Sequence, residues 1–264
     1  MEQHRSRFAQ LHESGLFVMP NAWDSASAIT MAQSGALAIA TTSSGFAATF
    51  GRRDYAIEAD TLLTHSALLA ATAGVPVNVD SERCFGKDAA GVAAFVEQLV
   101  DTGIAGCSIE DFDPAGEVID PIHVATERVA AAAEVCNANS VILTARAERH
   151  LYEKDADFDD TLARLRSFAA AGAGCLYAPG LTDHEQIAAV CQLGVPINIL
   201  ITPKTPTVPE LAQLGVRRVS TGGALIRSAM AGVQRAVEEL VGPGTFNYMA
   251  ESLSGRTFDG WLQD

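Results

Sequence analysis

Short apolar runs alternate with longer alanine-rich stretches of helical period along this chain. The runs fall at residues 17–20, 36–42, 75–80, 106–110, 141–146, 175–178, 197–201 and 218–220. They are apolar on both faces, the mark of strands in a parallel sheet covered by helices. The stretches between them predict helices at 24–33, 57–72, 88–101, 121–136, 158–171, 183–191, 208–214 and 224–241. Gly35, Gly74, Gly103, Gly172 and Gly194 stand where those helices should end, as C-terminal caps do. Eight β-then-α units in this length have the size of an α/β (β/α)₈ TIM-type barrel. An open doubly wound sheet usually has fewer strands, and no G-x-G-x-x-G follows the first run. No composition break or long linker divides residues 1–264, so one barrel domain is expected. From Gly242 a turn and a short amphipathic segment follow, expected to pack on the barrel or on a neighbouring subunit.

Acidic side chains recur where the runs end: Asp80 and Glu82 after the third, Glu110 and Asp111 after the fourth, Glu148 beside Arg146 after the fifth. Barrel enzymes build their sites from the loops that follow the strands. Asp80 and Glu82 are two residues apart, which puts both on one face of an extended chain. With Glu110 they would repel one another unless protonated or neutralised. A hard cation resolves this. Mg²⁺, with Mn²⁺ as the substitute, takes one or two carboxylates directly and keeps several waters. Arg146 ends an apolar run, so it pairs with Glu148 or another rim acid, or grips a substrate carboxylate in a bidentate fork. Ser43-Ser44-Gly45 offers hydroxyls and backbone N–H groups to an oxyanion. Gly222-Gly223 before a helix reads equally as a phosphate cup or as a tight turn. Asp24, ahead of Ser-Ala-Ser-Ala, reads as a helix cap. His123, His150 and His184 lack zinc spacing, and no G-x-S-x-G elbow is present.

Net charge then narrows the partners. With 32 acidic and 18 basic residues the chain carries −14, which argues against nucleic acid and anionic membrane but leaves a small carboxylate as substrate. The five cysteines form no C-x-x-C pair and read as buried thiols of a reducing compartment. No apolar signal core or membrane span is evident, so a soluble, cytoplasmic protein is expected.

Read together, Met19-Pro20-Asn21-Ala22-Trp23-Asp24, Ser44-Gly45-Phe46, Gly51-Arg52-Arg53-Asp54, Val79-Asp80-Ser81-Glu82, Ile109-Glu110-Asp111 and Thr144-Ala145-Arg146 resemble the isocitrate lyase/phosphoenolpyruvate mutase superfamily. The matches keep the family order over nearly the whole chain. The resemblance implies a barrel, commonly a homotetramer with the last helix swapped between subunits; a dimer is the smaller alternative. It implies Mg²⁺ at Asp80, with Glu82 and Glu110 acting through metal-bound water and Asp54 in the same network. Ser44, Gly45 and Phe46 would grip an α-oxo acid, Arg146 its anionic group, and Arg146, Glu110 and Asp54 would serve catalysis. It also implies making or breaking a C–C or P–C bond next to a pyruvate-like unit through a Mg²⁺-stabilised enolate. The Lys-Lys-Cys-Gly-His-type loop that the family's C–C lyases carry after strand four, and the Lys and Asn gate that its phosphonomutases present from the same loop, are replaced here by Asp111-Phe112-Asp113-Pro114-Ala115-Gly116-Glu117, and the usual Gly-Tyr-Gly by Cys84-Phe85-Gly86. By position, Arg83 would stand in for the missing cation or Cys84 for the missing acid. The 111–120 segment is the expected gate. The expected activity is a Mg²⁺-dependent lyase of a small 2-oxo or 2-hydroxy acid. The alternatives are phosphoenolpyruvate/phosphonopyruvate mutase or hydrolase chemistry, or a non-catalytic oxo-acid binding protein.

Overall fold

The first predicted run contains Pro20, which has no N–H to give a sheet ladder, and the barrel closes at that point. In the computed structural model, which describes residues 1–262, β1 is Phe17–Met19, resumed beyond Pro20 as Asn21–Ala22. The first half pairs in parallel with β8 (Arg218–Ser220), Phe17 opposite Arg218; the second pairs with β2 (Ile39–Thr41), Asn21 opposite Ala40. Between them run β3 (Val77–Val79), β4 (Gly106–Glu110), β5 (Ile142–Arg146), β6 (Cys175–Tyr177) and β7 (Ile197–Leu200). Every strand joins its neighbours in parallel and in chain order, giving a closed (β/α)₈ barrel.

All eight predicted helices form, at Ser25–Gln33, Ala59–Thr72, Ala89–Asp101, Ile122–Ala138, Phe158–Ala170, His184–Cys191, Val208–Leu214 and Ala224–Val241. Asp24 is a cap as expected. Its side chain accepts from Ser27 N–H at 2.7 Å, and the Ser27 side chain accepts from the Asp24 N–H in return. Gly35 and Gly172 leave their helices at φ 98° and 97°, angles that cost a side-chain-bearing residue dearly. The largest apolar cluster lies between the strands' outer faces and these helices, from Ile39 and Val77 to Leu165, Phe168 and Val219.

Four segments outside the expected strands and helices are also ordered. Glu2–Glu13 is a helix across the barrel's N-terminal end, where Phe8 and His12 are buried against Phe17. Ser43–Thr49 is a short helix after β2. Phe112–Asp113 and Val118–Ile119 pair as an antiparallel hairpin, and Arg149–Tyr152 forms one helical turn. The tail folds back on the long final helix, with Glu239 accepting from the N–H groups of Asn247 and Tyr248. Among the described residues no helix is long and apolar enough to cross a membrane.

Candidate active site at the barrel mouth

Glu110 and Arg146 end neighbouring strands and stand opposite each other in the β4–β5 register. Arg146 is the centre of the mouth. It donates from Nη1 to Asp80 Oδ1 at 2.6 Å and from Nε to Glu148 Oε1 at 2.7 Å, and its Nη2 lies 3.1 Å from Glu110 Oε2. Its Cζ lies 5.4 Å from the centre of the Tyr177 ring, a cation–π contact. One cation thus serves three carboxylates. Burial opposes its charge, but Glu148, Glu110 and Asp80 outweigh burial and hold the guanidinium well above its ordinary pKa. Burial pushes Glu110 and Glu148 upward, and Arg146 offsets this only in part.

Asp80 is fixed on its other side by the Ser43 N–H at 3.1 Å to Oδ2 and by the Ser108 hydroxyl at 3.4 Å to Oδ1. Asp54 and Glu82 share its neighbourhood without a cation of their own. Burial, then the Asp80 charge, raises Asp54; burial, then the charges of Asp80 and Asp54, raises Glu82 to about 8. Two carboxylates pushed toward protonation beside a third are a demand for positive charge at this spot. Among the described residues no three Asp, Glu, His or Cys side chains enclose an ion by themselves. An oxygen-only donor set with one or two carboxylates in reach fits a hard divalent cation that keeps its waters, and does not fit zinc.

A cavity of about 650 Å³ opens at this mouth and runs down the barrel axis. Ser43, Ser44, Asp54, Asp80 and Arg146 border it, whereas Glu82, Glu110, Gly45 and Phe46 do not. Glu110 sits behind Arg146 and accepts from the Tyr55 hydroxyl at 2.7 Å; Tyr55 in turn meets the Tyr152 hydroxyl at 2.8 Å. Gly45 packs against the barrel wall, where an added Cβ would lie 2.4 Å from Thr42 Cγ2. The Phe46 ring stacks on His65 with centroids 3.6 Å apart. So of the three residues expected to grip an oxo acid, Ser44 alone faces the cavity, and Ser43 joins it.

The structure decides four further readings. The Gly222-Gly223 cup is already filled, because Asn21 Oδ1 accepts the N–H groups of Thr221 and Gly222 at 2.9 Å each. Cys84 is no exposed acid. It is fully buried with Sγ 3.6 Å from the Ser108 carbonyl, and burial raises the thiol to about 12. Arg83 turns to Asp113 and Asp120 at the hairpin, outside the cavity. The hairpin expected as a gate is tied at its base. Arg164 donates from Nη1 to Asp111 Oδ2 at 3.1 Å and to the Asp120 carbonyl at 2.8 Å, and Asp111 Oδ1 accepts the Glu148 N–H at 2.8 Å.

Sequence reasoning passed over two arginines that border the cavity, Arg218 at the start of β8 and Arg227 on the final helix near Ser44. Arg218 was legible as a charged residue opening an apolar run. Arg227 had no signal beyond helical position.

Fold and mouth together are those of a barrel enzyme class with acidic strand ends gathered around an arginine. The chain belongs to the phosphoenolpyruvate phosphomutase (PEP_mutase) family, whose model matches residues 8–241. It is 34% identical over 220 residues to an uncharacterized protein of Mycobacterium tuberculosis, covering 81% of each chain. It is 25% identical to a probable 2-methylisocitrate lyase 2 of Corynebacterium glutamicum, over 92% of this chain and 82% of the relative. Among solved structures, a "putative lyase/mutase" from Burkholderia cenocepacia J2315 superposes with a TM-score of 0.92 at 40% identity, covering 98% of this chain and 95% of that one.

Proposed function

We propose that the protein is a divalent-metal-dependent lyase that makes or breaks a C–C bond in a small 2-oxo or 2-hydroxy carboxylic acid through a pyruvate-type enolate. The observation that carries this reading is the clamp on Asp80. Arg146, Ser43 and Ser108 hold one carboxylate at the cavity wall while Asp54 and Glu82, both raised by burial and by its charge, crowd it. Asp80 would hold Mg²⁺ or Mn²⁺ directly, with Asp54, Glu82 and Glu110 reaching it through water. When bound, the cation supplies the positive charge that matches negative charge growing on the 2-oxo oxygen. The chain's own groups do the rest. Ser44 and Arg146 bind and orient the carboxylate, and Glu148 and Glu110 keep Arg146 aimed. Tyr55 donates to Glu110 and keeps that carboxylate from turning away. Removing a substrate proton or returning one to the product does not involve Cys84, whose thiol stays protonated in the core.

A second reading is phosphonopyruvate-type P–C chemistry. It is favoured by the family model's own description. The two readings separate on a panel of C4 to C7 2-oxo and 2-hydroxy acids, with phosphonopyruvate added, assayed with and without EDTA. Pyruvate or glyoxylate release that stops with EDTA and returns with Mg²⁺ supports the lyase. Phosphate or a P–C product from phosphonopyruvate supports the second reading. Metal-dependent oxalate binding with no turnover means an oxo-acid binding protein. The proposal extends to a homo-oligomer, because the final helix leaves Met230, Val233, Val237 and Leu240 exposed along one face.

A further inference from the structure

Arg218 points into the barrel with only 1% of its surface exposed. A guanidinium stays charged under any ordinary condition, so burying one calls for a counter-charge. Its three nitrogens are met by neutral groups alone. Nε donates to Asn198 Oδ1 at 2.9 Å, Nη2 to Thr144 Oγ1 at 2.8 Å, and Nη1 faces His12 Nε2 at 3.3 Å. The histidine is an acceptor here. Its Nδ1 lies 2.8 Å from the Phe8 carbonyl and so carries the proton, and burial followed by the Arg218 charge lowers its pKa to about 3. Among the described residues no carboxylate forms an ion pair with Arg218; the salt bridges of the mouth all belong to Arg146. A guanidinium has five N–H donors, and three are spent, so two remain. Arg218, Asn198 and Thr144 all border the lower cavity, whose acids, Asp54 and Asp80, come from the loops beyond the strand ends.

We infer that the floor of the cavity is an anion subsite centred on Arg218, open from the mouth and taking one small anionic group. That group is either the far carboxylate of a dicarboxylic substrate held at its other end by Ser44 and Arg146, or a free inorganic anion. The dicarboxylate arm rests on the lyase reading above; the inorganic arm does not. The site explains why a barrel interior accepts an arginine where aliphatic layers are usual. It also gives the chain a means to prefer acids charged at both ends, since the unpaired guanidinium penalises a ligand that leaves it bare.

Two measurements decide the matter. The first is crystals of the wild-type protein soaked in bromide, with and without 2-oxoglutarate. The second is calorimetric binding of 2-oxoglutarate against 2-oxovalerate, an uncharged-tail match, in Mg²⁺, for wild type, Arg218→Lys and Arg218→Met. A bromide anomalous peak beside the Arg218 Nη atoms, absent in Arg218→Met, supports the subsite. A peak displaced by 2-oxoglutarate assigns it to the substrate carboxylate, and one that persists beside the bound acid assigns it to an inorganic anion. For the substrate arm, the wild type should favour the dicarboxylate by at least about tenfold, Arg218→Lys should keep most of that preference, and Arg218→Met should lose it. No peak at Arg218 together with an unchanged preference in Arg218→Met overturns the inference. Failure of both acids to bind in Mg²⁺ contradicts the lyase reading instead, and the bromide result still decides the subsite.

Discussion

Arg146 is asked to neutralise Asp80, Glu110 and Glu148 at once, and it does so with a planar fork whose nitrogens point in different directions. A lysine keeps the charge but cannot span the three. Arg146→Lys should therefore fold and lower kcat/KM by about a hundredfold, as small misplacements of a clamp do; steady-state kinetics on the active panel substrate check this. A second residue-scale consequence concerns His65, which packs under Phe46. Burial lowers its pKa to about 4, against a weaker pull from Asp24. The unfolded chain takes up that proton near 6.5 and the folded one does not, so the stability the neutral ring contributes is present above 6.5 and lost as pH falls toward 4. Relative to His65→Gln, the wild type should lose about 1.4 kcal/mol per pH unit across that window. Chemical denaturation between pH 4 and 7.5 measures it; parallel profiles would contradict it. Some of this was legible in the chain. Arg146 at the end of an apolar run had to pair or bind, and it pairs. Phe46 was a ligand contact only by resemblance, and an aromatic ring beside a buried histidine finds a better partner in the wall.

At the scale of elements, strands and helices followed the apolar pattern closely, since each is buried on a face that the pattern states. The failures share one cause. Ser43–Thr49, the 112–119 hairpin and Glu2–Glu13 are held by tertiary contacts rather than by their own periodicity. The N-terminal helix buries only Phe8 and His12, too little to show as a stripe. The hairpin is held through Arg164, whose side chain is 5% exposed against 1% for Asp111. Removing one member of a buried pair strands the other's charge. Arg164→Met should cost about 3 kcal/mol in urea denaturation and loosen the 111–120 segment toward hydrogen exchange. Unchanged protection of Asp120 N–H, which donates to the Asp111 carbonyl at 2.7 Å, would contradict the tie.

For the whole molecule, the long final helix is the unfinished part. Met230, Val233, Val237 and Leu240 recur at helical spacing and lie 45–56% exposed, with Phe246 and Met249 beyond them. A patch of this kind marks an interface, and the proposal that copies of the chain cover it has a direct check. Val233→Glu with Val237→Glu should shift the sedimentation of the protein to a smaller species without unfolding the barrel. A wild type that sediments as a monomer at all concentrations would contradict it.

The central claim is that the mouth holds a divalent ion and an oxo acid together, with Asp80 as the residue that joins them. Isothermal titration of oxalate into the purified protein tests it most directly, with and without Mg²⁺, for wild type and Asp80→Asn. The account predicts binding by the wild type that requires Mg²⁺ and disappears in Asp80→Asn, whose thermal unfolding should remain cooperative. Oxalate binding that is equal with and without the metal, or that survives in Asp80→Asn, would contradict it.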